Sequence, residues 1–437
     1  MKKHQLLRFL PLVCMLLCAL VLSCAQAEQA DFIDYVAQLD FNRASETVKT
    51  EATVKTFVDG DTVHFHVDEQ ICESGVLKAR FLAINTPEST GKIEEYGKKA
   101  SAFTREKLTQ AESIWLESDN GKWNLDSTSE RHLVWVWYRL PGERAYRNLN
   151  LEILQNGLAI ANSTANNRYG TLCMNALNQA RAAKLNIYSG QKDPDFYYGD
   201  AVELTLRELR TNPEAYNGIK VAFSGIITMN NNNAVYVESY DEETGLYYGI
   251  SVYYGFGLSG AGLNILSVGN EARIVGTVQY YEAGGTWQVS GLTYRMMRPN
   301  DPGNIQKLSD GHQPAFVLTT PETFVSQVTI EGEDGAQVFG YAALTLGTSI
   351  EMRDLTVKHV YTTTNEESSS RGAMTLTCQR DGITIQVRTV PLYGTDGKLV
   401  TKSLFAGKTI DVKGIVDFFD GQYQVKVFTL DSITIHD

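Results

Sequence analysis

Cysteine is scarce in this chain of 437 residues: there are six, and no two stand in a Cys-x-x-Cys spacing, which excludes a zinc- or cluster-binding framework. Positive charge is short as well, with 39 Lys and Arg against 51 Asp and Glu and a formal charge of -12. A sequence-independent nucleic-acid coat protein would carry the opposite sign, so the balance runs against that class. Long apolar runs are missing, apart from one at the extreme N-terminus. Apolar residues make up 43% and charged residues 21%, so the chain is neither disordered nor collagen-like, and its length predicts two to four domains. Aromatics are plentiful, with 22 Tyr and 17 Phe, and lean toward a β-rich architecture.

Lys2, Lys3 and Arg8 accompany the apolar run Leu6 to Leu22, and small residues follow in Ser23-Cys24-Ala25-Gln26-Ala27. Residues 1–27 read as a secretory signal. Two cleavage readings stand. An ordinary signal peptidase would cut before Glu28, whereas Val21-Leu22-Ser23-Cys24 resembles a bacterial lipobox, in which a lipidated Cys24 tethers the protein to the membrane. A permanent transmembrane anchor is the weaker reading, because the run is short for a span and no basic stop follows. The expectation is an exported bacterial protein, extracellular or envelope-associated. Cys14 and Cys18 fall inside the signal. Cys72 and Cys173 share one domain and either pair in an oxidising compartment or remain separate buried thiols.

Residues 28–50 read as a leader. From Val54 to Ile84 polar and apolar residues alternate in three runs, broken at Asp59-Gly60 and Glu73-Ser74-Gly75, which predicts a β-meander. Helical spacing follows over Ala100 to Leu108, Leu149 to Leu158 and Leu172 to Leu185, with a strand at Leu133 to Tyr138 between the first two. Together these describe a small α+β domain over residues 51–190. The second half repeats itself. Gly269 and Gly276 lead to Val278, Tyr280-Tyr281 and Trp287-Gln288-Val289, and Gly407 and Gly414 lead to Val416, Phe418-Phe419 and Tyr423-Gln424-Val425. The copies predict two OB-like β-barrels, residues 200–298 and 321–437, with Pro299, Pro302 and Pro314 marking a linker over 299–320. The acid excess belongs to this half.

Chemistry concentrates in the first domain. Asp59-Gly60 between two β runs is a hairpin turn, and Asp61 lies just past it, where its carboxylate can project from a strand edge. Arg80 enters an apolar strand whose end carries Asn85-Thr86-Pro87-Glu88. Asp61, Asn85, Thr86 and Glu88 offer only oxygen ligands, which suits a hard cation such as Ca²⁺ and not zinc. A second arginine, Arg131, begins another strand. Two fixed arginines beside a carboxylate-bound cation make a phosphate clamp, since guanidinium grips phosphate oxygens bidentately.

On four ordered stretches, residues 51–190 resemble the thermonuclease (staphylococcal-nuclease-type) family: Asp59-Gly60-Asp61-Thr62, Arg80 through Thr86-Pro87-Glu88, Tyr96-Gly97 with Ala100, and Leu185-Asn186-Ile187-Tyr188. The resemblance implies an OB-like five-stranded barrel with three helices, and hydrolysis of DNA or RNA with Ca²⁺ to leave 3′-phosphates. It further implies Asp61, Asn85 and Thr86 at the metal, Glu88 as general base, and Arg80 and Arg131 stabilising charge on phosphorus. Three departures qualify the match. Asn85 stands where the family usually has aspartate, which weakens calcium affinity. Ser127-Thr128-Ser129-Glu130 replaces an Asp-x-aromatic-Gly lead into Arg131. Asn162-Ser163-Thr164-Ala165-Asn166 carries none of the tyrosines that stack on the bound base.

The second half offers no catalytic constellation. Tyr247, Tyr248, Tyr253, Tyr254, Tyr280, Tyr281 and Trp287 form either a stacking surface or barrel core. The expected fold class is mainly β, an α+β nuclease-like domain followed by two further OB-like barrels, acting as a monomer on DNA or RNA with no protein partner evident. The rival readings are a non-catalytic envelope protein with a degenerate nuclease domain, and an OB-based ligand- or carbohydrate-binding module.

Overall fold

The computed structural model describes residues 32–436, apart from residues 129, 283, 333–334, 366–367 and 369; residues 1–27, expected to be a secretory signal and including Cys24, lie outside the described residues. The first barrel is built from β1 (Lys49–Asp59), β2 (Thr62–His66), β3 (Val76–Phe81), β4 (Ser113–Glu117) and β5 (His132–Arg139). β1 pairs antiparallel with β2 and β4, β2 with β3, and β4 with β5; β3 and β5 close the barrel in parallel. Alternation drives this closure. Val63, Phe65, Leu77, Ala79, Phe81, Leu116 and Val134 all point inward and are at most 1% exposed. Three helices surround the barrel: α1 (Gly97–Gln110), α2 (Leu149–Gln155) and α3 (Gly170–Ala182). Ala100, Leu108, Leu149, Ile153, Cys173 and Leu177 carry its core outward between them.

The second barrel uses β6 (Lys220–Asn231), β7 (Ala234–Asp241), β8 (Leu246–Tyr253), β9 (Glu271–Tyr281) and β10 (Thr286–Ser290). The third uses β11 (Ser349–Thr362), β12 (Met374–Arg380), β13 (Ile383–Thr389), β14 (Thr409–Phe419) and β15 (Gln422–Val427). Each repeats the connectivity of the first, including the parallel closure of its third strand on its fifth. The duplicated glycines have a steric reason. A Cβ at Gly276 would lie 2.7 Å from the Ser290 carbonyl oxygen, and one at Gly414 would lie 2.5 Å from that of Lys426. Within residues 299–320, Gln306–Ser309 pairs with β9 and Val317–Leu318 pairs in parallel with β11. Cys72, Cys173 and Cys378 are free thiols, the last two buried. Among the described residues no helix is long and apolar enough to cross a membrane.

The second and third barrels meet across buried polar groups. Glu238, 1% exposed, accepts hydrogen bonds from the Ala315 amide at 2.8 Å, the Ser349 amide at 2.7 Å and the Ser349 hydroxyl at 2.9 Å. Arg210, from the short helix α4 (Leu206–Thr211), donates to the carbonyls of Gly249 at 2.7 Å and Leu346 at 3.3 Å.

Candidate active site

The turn Asp59-Gly60-Asp61-Thr62 links β1 to β2, with Asp59 opposite Thr62. Gly60 is sterically required: a Cβ there would stand 2.9 Å from Thr86 Oγ1 and 3.0 Å from Ala100 Cβ. Thr104 of α1 donates its hydroxyl to the Gly60 carbonyl at 2.6 Å and seats the turn on the helix. Asp61 is thereby driven inward and fully buried.

Arg80, near the end of β3, forms an ion pair with Asp61 and donates its other guanidinium nitrogen to Asn85 Oδ1. The second Asp61 oxygen accepts the Thr86 amide at 2.8 Å. Burial raises the Asp61 pKa even with the Arg80 cation beside it. Asn85 belongs to a two-residue strand paired with Ile160-Ala161. Four of the expected residues, Asp61, Arg80, Asn85 and Thr86, therefore form one bonded cluster. Buried Asn150 supports it from behind. Its side-chain amide donates to the carbonyls of Leu82 at 2.9 Å and Val134 at 3.0 Å, and its oxygen accepts the Val136 amide, tying the end of β3 to β5.

Glu88 is exposed just beyond Pro87. Its neighbour is Asp59, which sequence reasoning assigns only to the turn. Asp59 is 5% exposed and accepts the Ser89 hydroxyl at 2.6 Å and the Ser89 amide at 3.1 Å. Burial and the adjoining Glu88 carboxylate raise its pKa to about 7. The Glu88 backbone is equally constrained. Its carbonyl accepts the Glu94 amide at 2.9 Å, and a Cβ at Gly97 would stand 2.1 Å from that carbonyl oxygen.

Arg131 immediately precedes β5, which runs beside β3 with Leu133 opposite Arg80. Among the described residues it bonds to none of Asp61, Asn85, Thr86 or Glu88. Its partner is Asp126, whose Oδ2 accepts from Arg131 Nε at 2.6 Å. Burial works against ionisation of Asp126, but hydrogen bonds from Thr128 and Arg131 prevail and lower its pKa to about 2. Glu130, the acid adjacent in sequence, is exposed.

The loop after Glu88 is held by the second barrel. Gln279 of β9 accepts the Gly91 amide at 3.1 Å and donates to the Gly91 carbonyl at 3.2 Å. Ser290 of β10 donates to the same carbonyl at 2.8 Å. Both residues lie almost 200 positions downstream, at places where the third barrel has Asp417 and Lys426 instead.

The donor set fits a hard divalent cation. Every candidate ligand is oxygen, Asp61 is a buried carboxylate, and Thr86 Oγ1 is buried with no hydrogen-bond partner among the described residues. Residues 78–190 match the family model described as Staphylococcal nuclease homologue, a span that holds five of the six expected site residues and omits Asp61. Together with the five-stranded barrel and its three helices, that match shows that the chain carries a staphylococcal-nuclease-type domain, with two further OB-like barrels behind it.

Proposed function

We propose that the protein is an exported, calcium-dependent nuclease that hydrolyses phosphodiester bonds of DNA or RNA. The observation that carries this reading is the orphaned Thr86 hydroxyl beside buried Asp61, in the same cluster as Arg80 and next to exposed Glu88. Asp61, Thr86 and the Asn85 oxygen would hold Ca²⁺, which when bound would neutralise charge on a phosphate oxygen. Glu88 takes a proton from the attacking water. The new bond forms at phosphorus, the bond to the 5′ oxygen breaks, that oxygen takes a proton from solvent, and a 3′-phosphate and a 5′-hydroxyl remain. Arg80 and Arg131 stabilise the charge that accumulates on the phosphate oxygens, and loss of one such group costs on the order of 10²–10³ in rate. Asp126 orients Arg131, and Asp59 holds the Glu88-Ser89 segment by accepting from Ser89. The reading takes residues 1–27 as an export signal, with either release after cleavage before Glu28 or retention at the envelope through a lipidated Cys24.

The test is cleavage of single-stranded DNA by the purified protein in millimolar Ca²⁺ and in EDTA, beside Glu88→Gln. Calcium-dependent cleavage that the variant loses supports the reading. A folded protein that cleaves nothing at saturating Ca²⁺ overturns it in favour of a non-catalytic binding protein.

A further inference from the structure

The nuclease-type domain lacks a stacking platform of its own at residues 162–166, yet Glu88 opens onto a wall of rings. Glu88, Ser89 and Gly91 share one cleft of about 1150 Å³ with Tyr253, Tyr281 and Trp287 of the second barrel. That is larger than the ~300–1,000 Å³ of ordinary small-molecule pockets, and so fits a chain of several units. The second barrel lines this cleft through buried Tyr236 of β7, Tyr253 of β8, the β6–β7 turn at Asn232-Asn233, and Tyr281 at the end of β9. In a barrel of this connectivity, the second and third strands and the loops after the first and fourth strands form the face that holds extended oligomers.

The rings are presented rather than packed away. Tyr248 is fully buried and belongs to the core, whereas Tyr280 is 46% exposed and Tyr281 48%. Trp287 braces Tyr280 in an edge contact with ring centres 5.2 Å apart. The third barrel adds to the wall: Phe419 is 59% exposed, and Phe418 approaches the β9–β10 turn so closely that a Cβ at Gly285 would lie 3.2 Å from its ring. Lys98, Arg105 and Lys426 line the cleft, but so do Glu282 and Asp417, and Arg105 is paired with Glu282. With charge nearly balanced, affinity must come from base stacking more than from phosphate attraction.

We propose that the second barrel and the tip of β14 form the stacking surface on which a single strand of nucleic acid lies as it enters the site at Glu88. The inference rests on the nuclease reading for its orientation, while the binding surface is separately testable. The experiment measures, by fluorescence anisotropy, the affinity of full-length Glu88→Gln protein for a labelled oligothymidylate of about 20 nucleotides, longer than the ~4–16 that one such barrel covers. Adding Tyr280→Ala and Tyr281→Ala together should weaken binding at least ~10-fold, given roughly 1–3 kcal/mol per stacked base. Tyr280→Phe with Tyr281→Phe should restore it, and Tyr361→Ala, an exposed tyrosine outside the cleft, should have no effect. With Arg105 held by Glu282, the remaining cations Lys98 and Lys426 predict a shallow salt slope of about -1.4 on a log–log plot. Unchanged affinity in the folded alanine pair overturns the proposal, as does failure of the Glu88→Gln parent to bind the strand or displacement of the strand by a neutral oligosaccharide. Absence of cleavage with ring-dependent binding intact would sink the nuclease reading and leave this surface standing.

Discussion

The Gly91 clamp makes the clearest quantitative prediction, because it places Glu88 under the control of a barrel it does not belong to. Gln279→Ala removes both of its hydrogen bonds to Gly91, and the one Ser290 hydroxyl proton, shared between Gln279 Oε1 at 2.7 Å and the Gly91 carbonyl at 2.8 Å, is left to the loop. Neutral hydrogen bonds contribute about 0.5–1.5 kcal/mol each, so the docked loop loses roughly 1–3 kcal/mol from the two bonds to Gly91 and the docked-to-undocked ratio falls about 5- to 150-fold. Gln279 lies near the end of β9, opposite Gln288 and outside the second barrel's apolar core, so the global fold should suffer less than the docking. Amide hydrogen exchange reports docking directly at the Gly91 N–H, and turnover of single-stranded DNA reports its consequence at Glu88, three residues earlier. The expected result is faster exchange at Gly91 and a fall in kcat of about 10-fold or more, of the kind a displaced catalytic group produces. Faster exchange with unchanged kcat would refute the idea that the second barrel positions Glu88. Unchanged exchange would refute the clamp itself.

Four further outcomes are expected. Asn85→Asp places a second anionic oxygen beside Asp61 and should tighten Ca²⁺ by roughly 1–2 kcal/mol after screening, about 5- to 30-fold, measured by calorimetric titration. Asp126→Asn leaves Arg131 without its ionic partner and should lower kcat on the order of 10-fold while the Glu88 loop keeps its exchange pattern. Asp126 is depressed in the folded state, so its contribution to stability is present above pH ~4 and lost as pH falls toward about 2; acid unfolding curves of Asp126→Asn and wild type should therefore converge at the acid end. Gly97→Ala forces a methyl against the Glu88 carbonyl and should cost about 1–3 kcal/mol in thermal unfolding, with activity falling further than stability.

What could be read from sequence differs between these residues for physical reasons. Asp61, Arg80, Asn85 and Thr86 lie within 26 positions on a meander, so local strand pairing brings them together, and ordered motifs report such a cluster well. Three barrels were likewise legible, because inward alternation and close strand crossings leave apolar and glycine periodicities. Asp59 was hidden by its turn: an Asp before Gly has a sufficient local explanation, and its nearness to Glu88 depends on how the loop folds back. Asp126 was hidden by a one-residue displacement, since the chain places its acid five positions before Arg131 where the family pattern has four. Gln279 and Ser290 carry no local signal at all. Only their divergence from Asp417 and Lys426 in an otherwise faithful repeat marks them, and that mark gains meaning once Gly91 is seen against them.

Glu238 bears on how such a protein can be inherited and taken apart. A carboxylate buried in one barrel takes all three of its bonds from Ala315, within the proline-marked segment, and Ser349, beyond it. Bonds to a charged group contribute about 1.5–3 kcal/mol each, so a second barrel cut away near residue 300 would lose all three partners of this carboxylate. The two copies are thus not interchangeable cassettes. Recombination that swapped either one alone would lose the lock, and a fragment meant to isolate the second barrel needs Glu238 replaced by a neutral side chain before it is made.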